Sequence, residues 1–190
     1  MKGVRNNLLT KNLKYEMEGK ARVAKWSHLQ ALYSRSPGYK GLKLVPKLTA
    51  QHIEPTLIPK MRVKNCTQVF SHSVGVALGF MAEYGDLPKE STDTADLLLF
   101  FDRLFDSVNG SFSKVRNGKI YRAAVTPTSP HHKLWRFSLP ILKSMRFEGA
   151  NNQGVVPSLS SWVKTVEAFA LITRYLNSKG INSLLLRNFN

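Results

Sequence analysis

One cysteine, Cys66, stands among 190 residues. That excludes an intrachain disulfide and a thiolate zinc cluster, and it fits an intracellular, reducing compartment. Cys66 itself reads as a small buried apolar residue in a helix. No apolar run reaches the roughly 18 residues that span a membrane, so no membrane partner is expected. The opening MKGVRNNLLTKN carries charge without a continuous apolar stretch, which excludes a secretory signal. Neither Gly-x-x-x-x-Gly-Lys-[Ser/Thr] nor Asn-Lys-x-Asp occurs, so the backbone phosphate cradle of a P-loop protein is excluded too. Acids are scarce: 12 Asp and Glu face 28 Lys and Arg, a net charge of +16.

The charge is unevenly spread. Residues 1–50 hold eleven basic and two acidic side chains, net +9; residues 51–110 hold five and eight, net −3; residues 111–190 hold twelve and two, net +10. Two basic flanks around a slightly acidic middle favour a polyanionic partner, nucleic acid first, over a merely solvated basic surface.

The most apolar run is TADLLLFFDRLFDSVN at 94–109. Leu97, Phe101, Leu104, Phe105 and Val108 recur at helical spacing, and Leu98, Leu99 and Phe100 fill the other faces, so this helix should be buried nearly all round. Ser91, Thr92 and Asp93 are N-cap candidates, and Gly110 stands as its C′ glycine. Asp102 and Asp106, four apart, share a face that must meet solvent, a basic partner or a ligand.

Further helices are expected at 1–13, at 25–33 and, as a single turn capped by Thr49, before Pro55. The longest is expected at 60–84, where Gly75 and Gly79 imply close approach to the 94–109 helix. Another runs 131–147, with Pro140 kinking or dividing it, and a last one 158–179, closed by Gly180. Loops are expected at 36–41, at 111–128 with Lys114, Arg116, Lys119 and Arg122, and at 148–157. The neighbouring His131 and His132 cannot face one metal site on a helix, and His28 reads as a surface or satisfied histidine. The resulting fold class is all-α, a single domain of about six or seven helices.

Three ordered stretches, PKLTAQHI at 46–53, KMRVKNCTQVFSHSV at 60–74 and FDRLFDSVN at 101–109, resemble the P element transposase family, the THAP-type DNA transposases. The resemblance runs along nearly the whole chain and is to the GTP-binding insertion domain. In that family the domain interrupts an RNase H-like nuclease between its second and third catalytic acids. Residues 1–20 and 181–190 then correspond to remnants flanking those catalytic segments. RNNLL at 5–9 resembles the segment after the second acid, and LLLRNFN at 184–190 the residues before the third.

The resemblance implies a site. Lys47, Arg62, Val63, Ser71, Phe105 and Asp106 would contact a guanosine nucleotide, with Lys47 and Arg62 on the phosphates and Mg2+ only in association with GTP. An aromatic ring can stack on guanine, and a carboxylate can accept from its N1–H and N2–H2; Phe105 and Asp106 are that pair. Read without the resemblance, Phe105 is core, Asp106 is a solvated or paired acid, and Ser71 bonds back to a carbonyl or faces a partner helix. The implied location is the nucleus, and the implied partners are transposon DNA and a full-length transposase.

The acids present match none of the three that a two-metal nuclease needs, so this chain is expected not to be an enzyme. Two functions are expected in its place: a module that holds GTP and DNA without cleavage, or a basic helical module that binds nucleic acid or a transposase and has lost the nucleotide.

Overall fold

The computed structural model describes residues 1–36, 43–149 and 156–186. The loops expected at 36–41 and 148–157 and the closing LLLRNFN run lie partly outside the described residues. Two compact units divide the chain, Met1–Asp102 with Met145–Ser158, and Arg103–Ser144 with Leu159–Asn190.

The first unit corrects the all-α expectation. Helix α1 (Lys2–Leu8) stops well short of residue 13, and strands β1 (Asn12–Met17) and β2 (Lys20–Ala24) follow. Leu13 and Tyr15 are buried while Lys14 and Glu16 are exposed, the period-two alternation of a strand. Glu18 and Gly19, both at positive φ, make the two-residue turn whose twist suits a hairpin. Strand β3 (Arg146–Glu148) pairs antiparallel on the other side of β1, placing Phe147 opposite Leu13, for a sheet order of β2-β1-β3. Val4, Leu8 and Leu9 form one helical side, and extending that helix to residue 13 hid the start of the strand.

Helix α2 (Trp26–Arg35) buries Trp26, Leu29 and Leu32, and its N-cap is Lys25. Helix α3 (Ala50–Ile53) is the expected single turn, with Thr49 as N-cap. The long helix expected at 60–84 is two: α4 (Val63–Val69) and α5 (His72–Glu83). Ser71 is extended, φ −119° and ψ 153°, and starts α5 as its N-cap. Its hydroxyl makes no cap bond to α5 and donates instead to the Gln68 carbonyl at 2.9 Å, the local competition with the helical backbone that serine offers.

Helix α6 (Ser91–Val108) is the organiser. Leu97, Leu98, Phe101 and Leu104 are fully buried, and Phe70 packs edge-on against Phe101 at 5.7 Å. Its opening turn also carries the polar ties of the unit. Asp93 accepts from the Val23 N–H at 2.9 Å and Thr94 from the Lys25 N–H at 3.0 Å. The Tyr15 hydroxyl donates to the Asp93 carbonyl, and Arg22 pairs with Asp93 and Asp96. Edge strand β2 thereby finds acceptors for donors it would otherwise expose. The Thr94 hydroxyl also meets His28 Nδ1 at 2.7 Å. Burial holds His28 below the usual imidazole range, so the ring is the neutral, satisfied kind.

Of the glycine pair of α5, Gly75 makes the expected close approach and Gly79 does not. A Cβ on Gly75 would come within 2.8 Å of the Leu99 side chain and 3.3 Å of the Ala95 carbonyl, whereas one on Gly79 would meet Ala95 Cβ at 3.6 Å. Overpacking costs about 1–3 kcal/mol, and alanine regains about 1 kcal/mol of helix propensity. Gly75→Ala is expected to lower stability by about 1 kcal/mol and Gly79→Ala to raise it by a few tenths or more. Urea denaturation of both variants checks this; shifts of the same sign would remove the close approach at Gly75.

In the second unit, Gly110 is not at positive φ, contrary to the C′ expectation. What requires glycine is the backbone beside it: a Cβ would sit 3.2 Å from the Ala123 carbonyl. A 3-10 turn (Ile120–Arg122) ends the excursion that follows α6, and Val125 and Leu184 exchange backbone bonds of 2.8 and 2.9 Å. Helix α7 (His131–Ser144) runs through Pro140 undivided, which removes one of the two expected outcomes. Pro140 and Arg136 are both exposed, so the carbonyl that loses its donor faces water. His131 Nε2 donates to the Tyr121 carbonyl while Nδ1 meets the Ser129 hydroxyl, both at 3.0 Å. Helix α8 (Pro157–Ser178) ends before Gly180, as expected.

Candidate functional site

The turn at 45–48 and the junction of α4 with α5 enclose a groove of about 310 Å³. Thr67, Gln68 and Ser71 would share a face even of an unbroken helix; after the restart Ser73 lines the same groove with them. Val45, Pro46, Lys47 and Leu48 form the opposite wall, and Val74 supplies apolar floor. Val45 and Leu48 are buried, which fixes the backbone that presents Lys47 to solvent.

Gln68 is held in place. Thr49 N–H donates to His52 Nδ1 at 3.2 Å, so the ring's other nitrogen carries the proton and donates to Gln68 Oε1 at 2.6 Å. The carboxamide oxygen is thereby occupied, leaving the amide NH2 as its remaining polar group. The Ser71 hydroxyl donates to the Gln68 carbonyl at 2.9 Å and keeps its lone pairs for another donor. Lys47 on one wall and the Gln68 amide and Ser73 hydroxyl on the other make the lining donor-rich, and among the described residues no acid lines the groove.

Of the six residues expected to share a site, Lys47 and Ser71 are brought together here. Arg62 and Val63 are not: Arg62 is the exposed N-cap of α4 and Val63 is 49% exposed, about 10 Å along that helix from its C-terminal end. Arg5, which is fully buried, holds the backbone before them, donating to the Lys60 carbonyl at 2.9 Å and bonding Asn6 Oδ1. Phe105 and Asp106 belong to the second unit. Phe105 is half-buried, and Asp106 pairs with Lys119 at 3.0 Å and Arg122 at 3.7 Å. Cys66, buried with its thiol pushed upward by desolvation, is the inert core residue expected.

A family model described as TNP-like, GTP-binding insertion domain matches residues 1–120. The chain belongs to this family. The matched stretch contains all six residues of the expected site and the whole groove. The insertion domain is similar in fold to a chain of the Drosophila P element transposase strand transfer complex, with a TM-score of 0.74 at 17% identity. The similarity covers 98% of this chain and 41% of that one, so the insertion domain spans less than half the length of the transposase it matches. No curated protein matches the chain.

The groove fits part of a nucleotide by its chemistry. A triphosphate is a polyanion, and it meets an ammonium, an amide and a hydroxyl donor with no carboxylate to repel it. Sequence reading missed Thr67, Gln68 and Ser73 as lining residues. The available signal was the polar set 67, 68 and 71, one helical face interrupting the apolar residues 66, 69 and 70.

Proposed function

We propose that this chain is the guanosine-nucleotide-binding module of a P element-type transposase, and that the groove beside Lys47 takes the phosphates of GTP. The observation that carries the reading is the juxtaposition of Lys47 and Ser71, 24 positions apart in sequence, on facing walls of one donor-rich groove. Lys47 supplies a compact charge, and the Gln68 amide and the Ser73 hydroxyl supply directional bonds, while the Ser71 and Thr67 hydroxyls already donate to the Gln68 and Lys64 carbonyls. The nucleotide is held rather than hydrolysed, and Mg2+ enters only with its phosphates. DNA is the second ligand, attracted by the +16 charge. Strand cleavage belongs to the acids of a full-length transposase, with which the module works in the nucleus.

GTP at about 100 times its dissociation constant is expected to stabilise the chain by about 2.7 kcal/mol in thermal unfolding. Lys47→Ala should weaken binding about tenfold or more, the equivalent of one charge-assisted hydrogen bond. The absence of any GTP-dependent shift, or equal binding by Lys47→Ala in calorimetry, overturns the assignment of the groove. Asp106→Asn forms the second arm, since a carboxylate that reads N1–H should discriminate GTP from ATP. A variant that keeps wild-type discrimination removes Asp106 from recognition. The ion pairs Asp106 makes with Lys119 and Arg122 favour a second reading, a basic nucleic-acid-binding module without nucleotide.

A further inference from the structure

The excursion at 111–122 in the second unit is built as a loop with its own internal frame. Its neck is closed by two bonds, from the Ser111 and Phe112 N–H groups to the Arg122 carbonyl, at 3.0 and 3.1 Å. Its tip is the pair Asn117 and Gly118, both at positive φ. Its base is fixed by Asp106, through Lys119 and Arg122. Between neck and tip the Phe112 ring carries two guanidinium groups, Arg116 at 5.4 Å and Arg122 at 5.5 Å from its centroid. A loop whose ends meet and whose side chains pack on one another holds its shape without help from the rest of the surface.

The charged side chains that the loop presents outward, Lys114 and Arg116, suit a polyanion, and Val115 and Ile120 are exposed beside them. Residues 113–118 are exposed throughout and include Lys114 and Arg116. From Ser107 to Phe147 the sequence holds no acid, and Asp106, which precedes the loop, is already engaged. An arginine lying over an aromatic ring has lost part of its rotational freedom before it meets a ligand, and its planar fork matches phosphate oxygens in a way that lysine's ammonium does not. Polar closure, left-handed tip and cation-bearing ring together give a preformed projection rather than a solvated charge run.

We infer that the loop at 111–122 is a DNA-backbone clamp, with Lys114 and Arg116 each neutralising one phosphate of duplex DNA. This rests on the reading of DNA as the second ligand. It adds which residues carry the contacts, and that they act independently of base sequence.

The test compares the wild-type chain, Lys114→Gln with Arg116→Gln, and Lys20→Gln with Lys89→Gln, which removes the same charge from exposed positions of the first unit. Each is titrated with an unrelated-sequence 20-base-pair duplex over a range of salt. Each lost phosphate contact lowers the slope of log affinity against log salt by about 0.9, so the loop variant is expected to lose nearly 2 from the slope. It should weaken binding equally on duplexes of different sequence. The control pair should leave the slope within a few tenths of wild type. A wild type that binds DNA, with a loop variant whose slope matches the control, overturns the clamp while leaving DNA binding intact. A wild type that does not bind the duplex overturns the underlying reading and the clamp with it. A loop variant that keeps the wild-type slope on DNA and loses affinity only on RNA duplexes assigns the loop to a different polyanion and likewise overturns the clamp.

Discussion

Arg5→Ala is expected to destabilise the chain by about 3 kcal/mol, a fall of roughly 6–12 °C in melting temperature for a protein of this size. The guanidinium is fully buried, and its group bonds the Lys60 carbonyl at 2.9 Å and Asn6 Oδ1 at 2.9 and 3.1 Å. Two penalties add on truncation. The carbonyl and carboxamide oxygens lose charge-assisted donors worth about 1.5–3 kcal/mol each before rehydration, and the long side chain leaves a void. One term opposes them, because a buried charge is costly to desolvate and removing it returns that cost. Arg5→Met separates these effects. It keeps most of the volume and gives up the bonds, so it should fall between wild type and Arg5→Ala. If Arg5→Met equals wild type in urea denaturation, the bonds only offset desolvation and Arg5 acts by volume. If Arg5→Ala itself unfolds within 0.5 kcal/mol of wild type, the anchoring of the turn before α4 is wrong.

The position of Arg5 shows what the sequence could not say. It stands in a segment recognisable by resemblance, but nothing in RNNLL separates a buried arginine from an exposed one. Its burial depends on the backbone at 59 and 60, more than fifty residues away. Strand β1 was hidden for a related reason. Its alternation is only six residues long, one of its two neighbours comes from residues 146–148, and the helix expected at 1–13 extends over its start. Long-range pairing decides such a segment, and local pattern does not.

Where the pattern was long and one-sided, it held. Helix α6 is buried nearly all round as 94–109 required, and the glycine at 75 meets it where close approach was expected. Asp106 meets a basic partner, one of the three alternatives its position left open, in Lys119 and Arg122. The break at Ser71 was less legible, because residues on both sides keep helical spacing and a serine is tolerated in either role. Lys47 and Ser71 could be nominated by resemblance, whereas the place of Ser73 in the same groove depends on where α5 restarts.

Trp135→Ala is expected to cost about 4 kcal/mol, the largest effect of any single truncation considered. Trp135 is the largest of the fully buried side chains among the described residues, at 1% exposure. Its indole N–H donates to the Ser107 hydroxyl at 3.0 Å, and Ser107 in turn donates to the Leu104 carbonyl at 2.7 Å. Phe169 stacks on it at 6.4 Å between centroids, and His131 and His132 approach it at 5.9 and 5.7 Å. One ring therefore joins the end of α6 to α7 and α8, and removing it leaves both a cavity and the buried Ser107 hydroxyl without its donor. Trp135→Phe keeps much of the ring and loses the N–H, so about half the cost is expected from it. That ordering is specific to a residue with two functions, since a cavity alone would make phenylalanine cheap and a hydrogen bond alone would make the two variants equal. Equilibrium denaturation of both, followed by circular dichroism so that the missing indole does not alter the signal, decides between them. Equal losses from Phe and Ala would assign the whole effect to the bond with Ser107 and remove the packing role argued for the ring.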